Sequence, residues 1–160
     1  MTAYYAHTNG TNKADWQSVE QHLLSTAELS RGFASTFGGG EYCCSVGLLH
    51  DLGKFSVEFQ QRLAGASIRV DHSTAGAQEA IALYGRGIGT VLGYVVSGHH
   101  AGIPDYGSVA DGPSLVARLQ RNVRDYTAYR EADLPFPHKS SMRLPISLLG
   151  GQEGFSLQFF

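Results

Sequence analysis

This 160-residue chain is poor in several things that would mark common functional classes. It has no excess of basic residues: 12 Lys and Arg stand against 14 Asp and Glu, a formal net charge of -2. That excludes the whole-domain basic footprint expected for tight duplex DNA binding, so any nucleic-acid contact must be local. No uninterrupted apolar run reaches the roughly 18 residues of a membrane span, and no membrane partner is expected. The opening "MTAYYAHTNGTNKADW" lacks a basic segment followed by an apolar one, so it does not read as a signal peptide. There are only 2 cysteines, the adjacent Cys43 and Cys44, which make no disulfide framework. They read as reduced, buried, small residues, and a cytoplasmic location is expected. Strand signals are weak, with no Asn-Gly or Asp-Gly turn between alternating runs.

What is present is enough apolar residue for one folded core, 42% hydrophobic against 16% charged. A first helix follows Asp15, a candidate N-cap, with Val19, Leu23, Ala27 and Phe33/Ala34 inward, and ends at Gly38–Gly40. A second runs from Tyr42 to near Leu52 with Val46, Leu48, Leu49 and Leu52 inward. Gly53 interrupts it, and Phe55, Phe59 and Leu63 continue an apolar face in a short helix. "DHSTAGAQEAIALYG" is predicted to be capped by Ser73 or Thr74 and stopped by Gly85. "GTVLGYVVSGHHAG" places Val91, Leu92, Val95, Val96 and His99 on one face. "DGPSLVARLQRNVRDYTAYRE" starts with Pro113 in its first turn. A Pro-rich connector and a last apolar segment, "GFSLQFF", follow. The expected architecture is one all-α domain over 1–160, of about five to seven helices around one core.

The count of 7 histidines is the unusual feature. His22, His50, His72, His99 and His100, with Asp51, each lie on or beside the apolar face of a predicted helix. Burying that many unpartnered polar groups would cost about a few kcal/mol each. A divalent metal would satisfy them together, and imidazole with carboxylate suits Mn, Fe, Co, Ni or Zn rather than calcium. The absence of thiolate ligands argues against a structural Cys-type zinc site. His50 and Asp51 differ by about 100° around a helix axis. One imidazole can then reach one ion while the carboxylate bridges to a second, about 4 Å away, as in two-metal phosphodiester hydrolysis. Lys54, four residues past His50, is either a phosphate contact or a solvent-facing lysine at a helix end.

"HDLGK" resembles the HD metal-dependent phosphohydrolase superfamily. The ordered set "YYAHT…W…HL", "GLLHDLGKFSVEFQQRL", "DHSTAGA" and "SGHHAG" resembles the HD nuclease domain of the CRISPR-associated helicase-nuclease of type I systems. The resemblance covers Tyr4 to Phe160. It implies an HD-domain helical bundle around a metal site and a single-stranded DNA endonuclease in antiviral defence. Its substrate would be the strand displaced by an RNA-guided surveillance complex, with a helicase domain fused or separate. One or two transition ions would serve as cofactor, and a metal-activated water as nucleophile. It places His22, His50 and Asp51 on a first metal, and Asp51, His72, His99 and His100 on a second. Asp51 and Lys54 are the expected catalytic residues, with Lys54 and His7 touching substrate. The family's late aspartate has no counterpart before Phe160, where "FSLQFF" looks like the start of its helix. A shortened chain lacking that ligand is therefore one reading.

Two other functions compete. One is an HD phosphohydrolase acting on a nucleotide or cyclic dinucleotide, which would need a closed pocket. The other is a catalytically silent fragment that binds the helicase or the surveillance complex. Asp105 reads as a loop residue near the metal, and His138 as solvent-exposed. Arg118, Arg121 and Arg124 recur every three residues, as a solvated helix face or a DNA contact. Tyr126 and Tyr129 suit either base stacking or a core.

Overall fold

The computed structural model describes residues 3–142. The apolar end expected from "GFSLQFF" lies outside the described residues. The described chain is mostly helical, with five α-helices and a small antiparallel strand pair. Strand β1 (Tyr5–His7) pairs with β2 (Gln17–Ser18), Tyr5 opposite Ser18 and His7 opposite Gln17. The sequence pattern gave no sign of this pair. It decides where the first helix begins. Extended Ser18, not Asp15, caps α1 (Val19–Ser35), its Oγ accepting the Gln21 amide at 3.1 Å. Val19, Leu23, Ala27 and Ala34 form the expected inward face, whereas Phe33 points outward.

Helix α2 (Gly40–Leu49) packs against α1 and buries Tyr42, Cys44, Ser45, Leu48 and Leu49, while Val46 is half-buried. Both cysteines are free, and burial pushes both thiols up in pKa. The helix stops three residues before Leu52: a 3-10 turn over Leu52–Phe55 takes its place, and Asp51 precedes that turn. Helix α3 (Val57–Leu63) is capped by Ser56, whose Oγ accepts the Phe59 amide at 3.3 Å.

Helix α4 (Ser73–Gly98) is reversed at Gly85, whose φ of 76° and ψ of 176° only glycine adopts readily. Its arms fold back antiparallel. A side-chain carbon at Gly93 would sit 3.7 Å from Ala77 O, and one at Gly76 would collide with Leu49 O and meet Val96. Gly85 is thus the expected stop between two helical arms. By length and composition α4 alone among the described helices could cross a membrane, but the reversal leaves no straight rod of that length. Asp71 caps its start, accepting the Thr74 amide at 3.1 Å, in place of the expected Ser73 or Thr74.

Helix α5 (Leu115–Leu119) is far shorter than the pattern predicts, and Ser114, not Pro113, opens it as the cap. Beyond it the chain leaves the helix, and Gln78 Nε2 donates to the carbonyls of Arg118 (3.1 Å) and Arg121 (2.7 Å). A further 3-10 turn, Thr127–Glu131, lies against α4. There Tyr126 and Tyr129 donate to the buried Glu79 carboxylate at 2.9 and 2.6 Å; Tyr129 belongs to the core and the half-buried Tyr126 packs against it.

Candidate metal centre

The α4 hairpin brings its two ends together, so His72 before it and His99–His100 after it share one end of the fold. The end of α2 meets them there, because Gly76 lets α4 lie against Leu49 O. Asp51, only 3% exposed, sits at the junction. Its Oδ2 lies 2.9 Å from His22 Nε2, 3.2 Å from His50 Nε2 and 2.8 Å from Lys54 Nζ. Its Oδ1 lies 3.3 Å from His72 Nε2 and 3.5 Å from His99 Nε2.

Local hydrogen bonds aim these rings. His50 Nδ1 is 2.9 Å from Gly47 O, and His99 Nδ1 is 2.7 Å from Val96 O. A carbonyl only accepts, so the proton of each neutral ring is on Nδ1 and the Nε2 lone pair faces Asp51. His22 Nε2 and His50 Nε2 are 3.1 Å apart, and His72 Nε2 and His100 Nε2 are 2.8 Å apart. Lone pairs at these separations, facing a carboxylate, need a cation or a proton between them.

Burial alone would raise the Asp51 pKa, but the surrounding imidazoles of His22, His50, His72 and His99 outweigh it and hold the carboxyl far below its usual range. Burial works against charge on His99, yet Asp51 and the Val96 carbonyl keep its pKa above the ordinary value. His100 is lowered by burial and then by His99 and His72. His7 is lowered by burial and then by Lys54 and His22.

Asp51 Oδ1 is buried and accepts no hydrogen bond. A carboxylate oxygen so placed costs on the order of 1–3 kcal/mol unless something satisfies it. The donors around it are imidazole nitrogens and one carboxylate, the set suited to a transition ion. The buried cluster of His22, His50, Asp51, His72 and His99 could hold a metal ion, and the residues fit one. They fall into two groups whose ligand atoms lie within 4.8 Å of one another: His22, His50 and Asp51, and Asp51, His72, His99 and His100. Asp51 belongs to both.

Lys54 is buried at 5% exposure and does not face solvent. Besides Asp51 it reaches Ala6 O at 3.3 Å, and its ammonium stands 5.4 Å from the centre of the Phe59 ring. His7 lies at the rim, its ring centre 4.9 Å from that of His22 and edge-on to it. Asp105 is an exposed loop residue whose carbonyl accepts the Leu115 amide. His138 is exposed and caps the short turn Lys139–Ser141.

Asp71, which the sequence pattern did not single out, and Arg118, which it left as a solvated face or a DNA contact, hold the two ends of α4. Asp71 accepts from Thr74 Oγ1 (2.7 Å) and Arg121 Nη1 (2.8 Å), and Arg118 Nη1 donates to Ser97 O at 3.2 Å. The spacing Asp71–Thr74, an Asx cap, was the available signal for the first of these. No family model matches the chain, and no curated protein matches it.

Proposed function

We propose that the chain is an HD-type metal-dependent phosphodiesterase, a deoxyribonuclease that cuts single-stranded DNA and works in CRISPR interference beside a helicase and an RNA-guided surveillance complex. One observation carries the hydrolytic part: the two oxygens of a single buried carboxylate, Asp51, face two separate imidazole groups, and one of those oxygens has no other partner. The CRISPR part rests on the resemblance of the ordered motifs.

On this reading His22, His50 and Asp51 hold one ion, and Asp51, His72, His99 and His100 a second. A divalent ion held there supplies Lewis acidity towards a phosphodiester and a strong oxygen nucleophile at neutral pH. Asp51 fixes the spacing between the two imidazole groups. Gly47 O and Val96 O keep His50 and His99 in the ligating tautomer. Lys54 adds a positive charge to the cluster, which favours an anionic substrate. The side chains of His22, His50, His72 and His99 keep 13–20% exposure, which leaves a path for a phosphate from solvent.

The test pairs metal analysis with cleavage. The purified chain should retain a transition ion and cut single-stranded DNA, and Asp51→Ala should lose both. Hydrolysis of a nucleotide or cyclic dinucleotide without DNA cleavage would replace the nuclease reading. Metal-free protein without either activity would leave only a binding role.

A further inference from the structure

Arg118 is half-buried and Arg121 is exposed, yet both make specific contacts to the ends of α4 although the periodicity around them suggests a solvated helix face. Arg118 Nη1 donates to Ser97 O at 3.2 Å and to Ser73 Oγ at 3.4 Å, and its Nε to Pro113 O at 3.4 Å. Ser73 follows His72 directly, and Ser97 lies two residues before His99. One guanidinium therefore ties the two ends of α4 together beside the ligands they carry. Arg121 Nη1 donates to Asp71 Oδ2 at 2.8 Å and Nη2 to Gly112 O at 2.8 Å. Asp71 immediately precedes His72, so His72 is held from both sides. Gln78 binds the carbonyls of both arginines and pins their backbone to α4. Ser97 O is next in the chain to Val96 O, the carbonyl that orients the His99 ring.

We infer that Arg118 and Arg121 are positioning residues for the His72–His99–His100 half of the metal centre, acting by clamping the two ends of the α4 hairpin. The inference rests on the metal reading given above. A guanidinium suits the task because its donors lie in a rigid plane and reach two acceptors at once, which an ammonium on a flexible stem does not. Neither arginine belongs to the apolar core, and Arg121 is 42% exposed, so its loss leaves the fold standing. Partners that orient metal ligands are worth about 10- to 100-fold in metal affinity.

Cobalt(II) titration, followed by visible absorption, tests this on the wild type and on Arg118→Gln, Arg118→Lys, Arg121→Gln and Arg124→Gln. His100→Ala identifies which transition belongs to the second group. Both Gln variants should weaken that transition about 10- to 100-fold and alter its band shape, leaving the other within about twofold. Arg118→Lys should rescue only in part. Arg124, which pairs with Glu58 at 3.6 Å, should behave as wild type when changed. A readout that needs no ion accompanies it: imidazole nitrogen NMR should shift His72 and His99 in Arg121→Gln while His22 and His50 keep their positions. Unchanged His72 and His99 signals in a folded Arg121→Gln would overturn the inference, as would equal weakening of both cobalt transitions. A wild type that takes up no cobalt sinks the proposed function instead, and the imidazole spectra then decide the arginine inference alone.

Discussion

His72 and His99 stand at opposite ends of α4, yet their Nε2 atoms lie 3.3 and 3.5 Å from the same oxygen, Asp51 Oδ1. A straight helix of that length would hold its ends about 39 Å apart, at 1.5 Å per residue. The reversal at Gly85 is what makes them neighbours.

Gly85→Ala should therefore act on stability and on the metal centre together. A non-glycine residue at φ 76° and ψ 176° carries a backbone strain of about 1–3 kcal/mol. Urea denaturation should show that loss, and the affinity of the His72–His99–His100 group for an ion should fall with it. Full stability in the variant would mean the hairpin does not depend on this backbone conformation.

Asp51 and Lys54 form a buried pair at 2.8 Å, so removing one partner strands the other. Asp51→Ala should cost about 3–5 kcal/mol of stability because an unpaired ammonium remains buried. Asp51→Asn/Lys54→Met should be more stable than Asp51→Ala and still bind no ion, since neither group keeps its shared carboxylate. Metal retention in a folded Asp51→Asn, measured by elemental analysis, would remove the bridging role.

Tyr126 and Tyr129 should prove structural. Tyr129→Phe leaves Glu79 Oε1, which it reaches at 2.6 Å, without that donor in a buried site, at a cost of about 1–3 kcal/mol. Tyr126→Phe should do the same for Oε2. Chemical denaturation reads the loss, and single-stranded DNA binding should be unaffected. A drop in DNA affinity at unchanged stability would restore the stacking role.

The candidate site residues were legible because several histidines and an aspartate fall on or beside the apolar faces of different helices, where burying so many polar groups without a shared partner is costly. Their division into two groups sharing Asp51 came from the motif resemblance, not from spacing. Gly85 was legible as a breaker, but a pattern of apolar positions does not say that the chain reverses there. What escaped is long-range in origin. Ser18 caps α1 because pairing with Tyr5 makes it extended, and a strand of two residues leaves no alternation to read. Past α5 the chain is held by Gln78, some 40 residues away, a contact that local periodicity does not show. The contacts of Arg118 and Arg121 escaped because their partners, Ser97, Ser73 and Asp71, lie far away in the chain.

The two groups should fill in a fixed order. Among the described residues, Asp51, His72, His99 and His100 offer four ligand residues, enough for a closed tetrahedral shell, whereas His22, His50 and Asp51 offer three. Each added imidazole that is already aimed raises affinity, and His99 is aimed by Val96 O at 2.7 Å. The first ion taken up in a manganese(II) or cobalt(II) titration should therefore be lost in His100→Ala and kept in His22→Ala, with the second showing the reverse pattern. Its arrival should also stabilise the fold, by about 2.7 kcal/mol at a hundredfold excess over its Kd. Thermal unfolding with and without the metal reads that shift for each variant. Loss of the tighter ion in His22→Ala, with His100→Ala unaffected, would reverse the assignment and make the three-ligand group the primary site.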